Sequence, residues 1–338
     1  MGKTINLIND EDQNMKELRV SLRAKLNFYP PVIGYLASID EGSYSYNYYG
    51  LRHPGGIFSL QFGNILDDFL DLLRNLKELQ NKPNEVGEIR LERRLECLLY
   101  SFFKYYESCY EIILGCCEKH ESPGGFIYKW LKKNGYSVGE FLYEKTKDDT
   151  SYFRDIFNRL KHTSNTLRIL YFHRSDIKVF GYYLESANTN GSLGPDENLH
   201  AIYQNAGSAN SFNFDLRRLY YCVYEVAEAL RSALILHFKE TYSIDLAFNN
   251  NWEINNSKAK DLYDKIINLP YIFFPNEFGK RLPLPFLEEI NKNRYLVFKI
   301  RNAKTTDLSG FKINSTTSGD GFSRSFRFPF FVPPKSRR

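Results

Sequence analysis

The chain has 338 residues, 43% hydrophobic and 16% aromatic, enough for a sizeable core in one large domain or two intimate ones, and too apolar for a disordered chain. Its formal charge of +5 falls wholly after residue 321, where Arg324, Arg327, Lys335, Arg337 and Arg338 meet no acid. The body is balanced and the tail is basic.

The five cysteines, Cys97, Cys109, Cys116, Cys117 and Cys222, include no CxxC pair. Neither a disulfide framework nor a zinc site is expected; buried thiols in a reducing compartment are. Met1-Gly2-Lys3-Thr4 lacks the apolar region of a signal peptide, and Asn6 breaks the myristoylation pattern. No run of about 18 apolar residues is present to span a membrane. The expected setting is the cytoplasm, without cofactor, metal or membrane.

In chain order, residues 1–60 read as an irregular segment, with Tyr44, Tyr46, Tyr48 and Tyr49 before Gly50 and then His53-Pro54-Gly55-Gly56. The tyrosines fit a short strand or ordered loop covering a core edge, or a surface for stacking on bases. Phe62, Ile65, Leu66, Phe69, Leu70, Leu73 and Leu76 recur at helical steps and predict a helix over 62–79. Leu91, Leu95, Leu98, Phe102, Tyr105, Cys109, Ile112 and Cys116 predict another over 88–118, closed by Pro123-Gly124-Gly125. Short helices follow, one from Phe126 to Lys133 and one from Ser137, where Glu140 completes a capping box. A fifth helix is expected near 149–165.

The period then changes. Residues 167–173 and 177–184, with Ser175-Asp176 between them, read as a β-hairpin, and 185–212 as a long polar loop. Leu216, Leu219, Val223, Val226, Leu230 and Leu234 predict a helix over 213–239, and another ends before Pro270. Pro285 suits a first helical turn, so a last helix is expected from there to Lys304 through Phe286, Ile290, Val297 and Ile300. No internal repeat is found.

The fifth helix carries the residues with most chemistry. Phe153, Ile156, Phe157, Leu160 and Leu167 share one face; Asp155, Asn158, His162 and Asn165 lie opposite, beside Arg159. Arg154, Lys161, Arg168 and Arg174 make the segment basic. RNA cleavage through the 2′-hydroxyl needs a group that moves a proton near neutrality and a cation on the phosphorane, roles that His and Arg fill without metal. The other histidines show no ligand spacing such as HExxH, and no GxSxG elbow occurs.

Asn158-Arg159-Leu160-Lys161-His162, after long amphipathic helices, resembles the signature region of the HEPN superfamily, over about residues 62–240. The resemblance implies a helical bundle of a bacterial defence or toxin–antitoxin system, many of whose members are metal-independent endoribonucleases with paired Arg–His motifs across a dimer interface. Their usual motif is Arg, four to six residues, then His, commonly with Asn after the Arg. Asn158 stands four residues before His162, as in that pattern, but Phe157 occupies the common arginine position. A second fragment, Arg301-Asn302-Ala303-Lys304-Thr305-Thr306, has the Arg-Asn start and a Thr where the His would stand. On this reading His162 moves the proton, Arg159 or Arg301 from the last helix holds the phosphate, and Asn158 positions either; Arg154 and Lys161 would bind RNA.

The tail interleaves Phe322, Phe326, Phe328, Phe330 and Phe331 with Arg324 and Arg327. It suits single-stranded nucleic acid, or docking on the body or on a protein partner in an extended, proline-set conformation. The expected fold class is mainly α: a bundle of long amphipathic helices with a β-hairpin insertion. Its parts are 1–60 irregular, 61–166 helical with the motif, 167–212 hairpin and loop, 213–304 helical, and 305–338 tail. The competing function is a noncatalytic helical interaction protein that binds a protein partner through the tail, with self-association as the other form of contact.

Overall fold

Apolar stripes at helical spacing build the longest elements. Helix α2 (Pro54–Asn81) starts earlier than its stripe predicts. The His53 imidazole accepts the Gly55 N–H at 3.1 Å, and Pro54 takes a first-turn position that needs no amide. Helix α3 (Glu85–Gly115) runs against α2, and every stripe residue expected for both is buried. Helix α6 (Phe212–Tyr242) is buried on almost every side, as a central post is. Ser211 caps it by accepting the Phe214 N–H at 3.3 Å, and Ser243 closes it in the left-handed conformation, φ 55°.

Helix α5 (Ser137–His162) is a single helix where two were expected, because neither Gly nor Pro interrupts the chain between Gly139 and His162. The shorter helices are α1 (Val32–Leu36), α4 (Ile127–Lys133) and α7 (Lys258–Ile267). Fully buried Arg217 joins α6 to the chain beyond α7, donating to the Asn213 carbonyl at 2.7 Å and the Leu269 carbonyl at 2.5 Å.

The computed structural model describes residues 17–23, 27–40, 45–82, 85–162, 165–174, 177–187, 189, 193–200, 202, 207–249, 251, 253–254, 257–304 and 312–315. Two antiparallel sheets accompany the helices, so the fold is α+β and the expectation of a mainly helical bundle with one hairpin is corrected. The first sheet holds the expected hairpin, β2 (Thr166–Arg174) and β3 (Ile177–Ala187), in the order β4-β3-β2-β8. Here β4 is Leu193–Pro195 and β8 is Lys312–Ser315, while β5 (Asn210–Ser211) also pairs with β3. The expected loop at 185–212 is thus partly strand.

The second sheet was not anticipated. It contains β1 (Glu17–Leu22), β6 (Arg281–Ile290) and β7 (Asn293–Asn302), in the order β1-β7-β6. Two expectations fall with it: the helix from Pro285 to Lys304, and a wholly irregular segment before residue 60. Asn291 and Lys292 both have positive φ, 50° and 66°, making the two-residue hairpin turn that reverses the chain. Pro285 fits because β6 is an edge strand, where a missing amide is tolerated. Phe298 of β7 packs among Tyr220, Tyr221 and Tyr224 of α6, with ring centroids 5.5 to 5.7 Å away. That burial, not local periodicity, holds the strand.

The two sheets meet through the segment before β6. Gly181 of β3 leaves room for the Phe274 ring; a Cβ there would collide with that ring and with the Asn210 carbonyl. Phe274 leads into a 3₁₀ turn, Pro275–Glu277, and the Gly279 N–H then donates to the Ala303 carbonyl at 2.9 Å.

Candidate functional site

The last turns of α5 lie against α3. Phe153 and Ile156 are buried, and Phe157 and Leu160 pack partly buried on the same core, as their spacing requires. Phe157 stacks on Phe103 of α3, with centroids 4.5 Å apart and planes at 18°. The Tyr100 ring centroid is 6.2 Å from that of Phe157. Asp155 and Asn158 are exposed on the opposite side, and Lys161 is exposed one turn beyond Phe157. The Lys161 ammonium lies 5.9 Å from the Phe157 ring centroid, and the Arg154 guanidinium 5.9 Å from that of Tyr143. His162 ends the helix, and its side chain lies outside the described atoms.

Arg159 is engaged. Its guanidinium donates to Asp196 Oδ2 at 2.6 Å, and Asp196 is buried just beyond β4. The other oxygen, Oδ1, accepts the amides of Asn198 at 3.0 Å and Leu199 at 3.2 Å. The same corner is tied to β3: the Asp196 N–H donates to the Leu184 carbonyl at 2.8 Å, and the Leu184 N–H donates to His200 Nε2 at 2.8 Å. An accepting Nε2 fixes the neutral imidazole with its proton on Nδ1, and burial takes its pKa down to about 3.

A second set of charges stands where α3 meets β2. Arg168, buried, donates through Nε and one terminal nitrogen to Glu185 Oε2 at 3.1 and 3.0 Å. Glu92 of α3 accepts the Ile169 amide on the β2 edge, just short of Leu170 to His173, which β8 pairs. Glu88 and Glu96 flank it one helical turn away on either side. Desolvation first, then these two carboxylates, push Glu92 up to about 7 against the pull of Arg168 and the amide. The i, i+4, i+8 spacing of these glutamates was visible in the sequence; Asp196, in a polar loop, gave no such signal.

The outward side of α3 carries an apolar stripe with charges at its centre. Val86, Ile89, Arg93, Glu96 and Tyr100 recur at three- and four-residue steps and are all exposed, Val86 at 67% and Tyr100 at 53%.

The remaining candidates are not gathered at this place. Arg301 is on strand β7, not on a helix. That strand reaches α5 through its neighbour: Arg281, paired in register with Asn302, lies 3.6 Å from Asp149. Asp149 precedes His162 by 13 residues, which is about 20 Å of helix. Arg324 and Arg327 lie outside the described residues. Among the described residues no three His, Cys, Asp or Glu side chains are grouped to hold a metal, and no helix is long and apolar enough to cross a membrane.

No family model, no curated protein and no solved structure matches this chain.

Proposed function

We propose that the chain is a HEPN-like protein that works by noncatalytic association, with a second copy of itself as partner, through the face where α3 meets the end of α5. The observation that carries this reading is the pairing of Arg159 with buried Asp196. A cation held in that way is not available to a phosphorane, Phe157 fills the place of the family's arginine, and Arg301 is on β7, whose partner strand β6 meets α5 at Asp149, 13 residues before His162. The catalytic reading is left with His162 and exposed Asn158 alone.

The stripe on α3 favours a second copy over an unlike partner. Laid antiparallel against itself, it sets Ile89 opposite Tyr100 and Arg93 opposite Glu96, and repeats both pairings by symmetry. Tyr100 of the stripe lies 6.2 Å from Phe157, over whose ring exposed Lys161 stands. The cytoplasmic setting accords with free cysteines, four of the five buried. A role in bacterial defence or a toxin–antitoxin pair rests on the Asn158–His162 resemblance.

Sedimentation velocity tests the association, and incubation with RNA in chelator tests the chemistry. The purified chain should sediment as a dimer, Ile89→Glu with Tyr100→Glu as a monomer, and RNA should stay intact. Cleavage of RNA that His162→Ala abolishes would overturn this proposal.

A further inference from the structure

Past the C-terminal end of α3, away from its outward stripe, the chain makes a loop that leads into α4. Phe126 at the close of this loop is 75% exposed, more than any other large hydrophobic side chain among the described residues. A Cβ added at Gly124 or Gly125 would meet nothing within 4 Å, so the tip stands clear of the body. Its base is held. Trp130 Nε1 donates to the Glu121 carbonyl at 2.9 Å. The Tyr49 hydroxyl donates to the Glu118 carbonyl at 2.6 Å and accepts the His120 N–H at 3.0 Å.

Lysines surround this projection. Phe126, at the N-cap of α4, is followed by Lys129 and Lys133 at i+3 and i+7 on one helical face, and all three are exposed. The Lys129 ammonium lies 5.4 Å from the Phe126 ring centroid. Tyr48, 53% exposed, has the Lys119 ammonium 5.8 Å from its own. Among the described residues no carboxylate pairs with Lys119, Lys129 or Lys133, whereas Lys132 is turned to Glu140 at 2.9 Å. From 118 to 133 the chain carries four lysines against Glu118 and Glu121.

We propose that this projection docks the protein on the surface of an anionic lipid bilayer, with Phe126 at the acyl boundary and Lys119, Lys129 and Lys133 at the headgroups. An apolar side chain held out in water is stabilised on reaching the acyl boundary. Each lysine beside it adds attraction to an anionic surface. Tyr48, Tyr49 and Trp130 adjoin the tip, and rings with an apolar body and a polar edge suit the headgroup level. Single-stranded nucleic acid fits the same composition less well, because bases stack in succession on ring faces. Here Tyr48 meets Tyr49 at 80° and Tyr49 meets Trp130 at 79°, edge to face. The cations are lysines, not the two-pronged arginines that grip phosphates, and no arginine stands between Arg94 and Arg154.

The full chain is sedimented with vesicles of three parts phosphatidylcholine to one part phosphatidylglycerol, and with vesicles of phosphatidylcholine alone. It should bind the first and not the second. The basic tail is present in every variant, so differences among them report on the loop. Phe126→Ala should weaken binding about tenfold. Lys129→Gln and Lys133→Gln should each weaken it about fivefold, and no thermal midpoint should move. Phe126→Trp, read as the difference from the parent, should emit further to the blue on anionic vesicles and be quenched by bromine on the acyl chains. Phe126→Ala that binds as tightly as the parent, or a Phe126→Trp emission that acyl bromine leaves unquenched, overturns the proposal. So does single-stranded poly(U) that binds the parent and not Phe126→Ala, which would assign the surface to nucleic acid.

Discussion

Arg159 and Asp196 meet at 2.6 Å, and their ion pair joins the last turns of α5 to the corner beyond β4. Asp196 is the buried partner, with the amides of Asn198 and Leu199 on its other oxygen. Arg159→Ala leaves that charge without its cation and should cost about 2–3 kcal/mol, near the lower end for a broken buried pair because Arg159 is itself a third exposed. Urea unfolding of Arg159→Ala, Asp196→Ala and the double variant would show the coupling. An Arg159→Ala protein as stable as its parent would mean that the arginine is free for other work.

Glu92 gives a pH dependence of defined sign. Its pKa in the folded chain is raised to about 7 from an ordinary 4.5, so folding favours the protonated form. The stability it contributes is fully present below about pH 4.5 and is lost as pH rises toward 7. Glu92→Gln removes this slope and keeps an acceptor for the Ile169 amide. Thermal midpoints of the two proteins should differ little at pH 4.5 and favour the variant at pH 8, by about 1–2 kcal/mol once solvent screening is discounted. Parallel curves would exclude Glu92 as the titrating group.

Gly181→Ala should destabilise by about 3 kcal/mol, since the added methyl meets the Phe274 ring and the Asn210 carbonyl. Only the ring can be removed by mutation. Phe274→Ala costs stability on its own, yet the double variant should be less impaired than the two losses summed. Strict additivity in calorimetry would mean that the two residues do not press on each other.

Deleting residues 322–338 removes five cations and no acid, leaving a chain of zero formal charge. Binding to a polyanion such as heparin should fall sharply and lose most of its salt dependence. An unchanged salt slope would place the binding surface on the body.

The helices were legible because their signal is local. Leu216, Leu219, Val223, Val226, Leu230 and Leu234 repeat at one period, and all six are buried in α6. Strand β1 was not legible for the opposite reason: Glu17 pairs with Lys299, at the far end of the chain, and nothing near Glu17 announces that partner. The hairpin of β6 and β7 misled because Phe286, Ile290, Val297 and Ile300 fit helical steps, and Pro285 suits an edge strand as well as a helix start. Asn291-Lys292 was the overlooked turn signal. At the candidate site, the apolar face of α5 and exposed Asn158 followed from spacing. That Arg159 is held by Asp196 did not, because only tertiary structure brings a loop carboxylate to a helix 37 residues earlier.

The two prolines of β6 govern what this sheet can join. Pro283 and Pro285 face Ile300 and Phe298 of β7, and neither has an amide to offer a further strand. Among the described strands, that leaves β1 as the rim able to accept an added one. A sheet with one receptive rim is consumed by a single union: two such rims can close on each other, but no third copy finds a place. Edge-to-edge strand addition at this sheet is therefore expected to stop at a pair of copies.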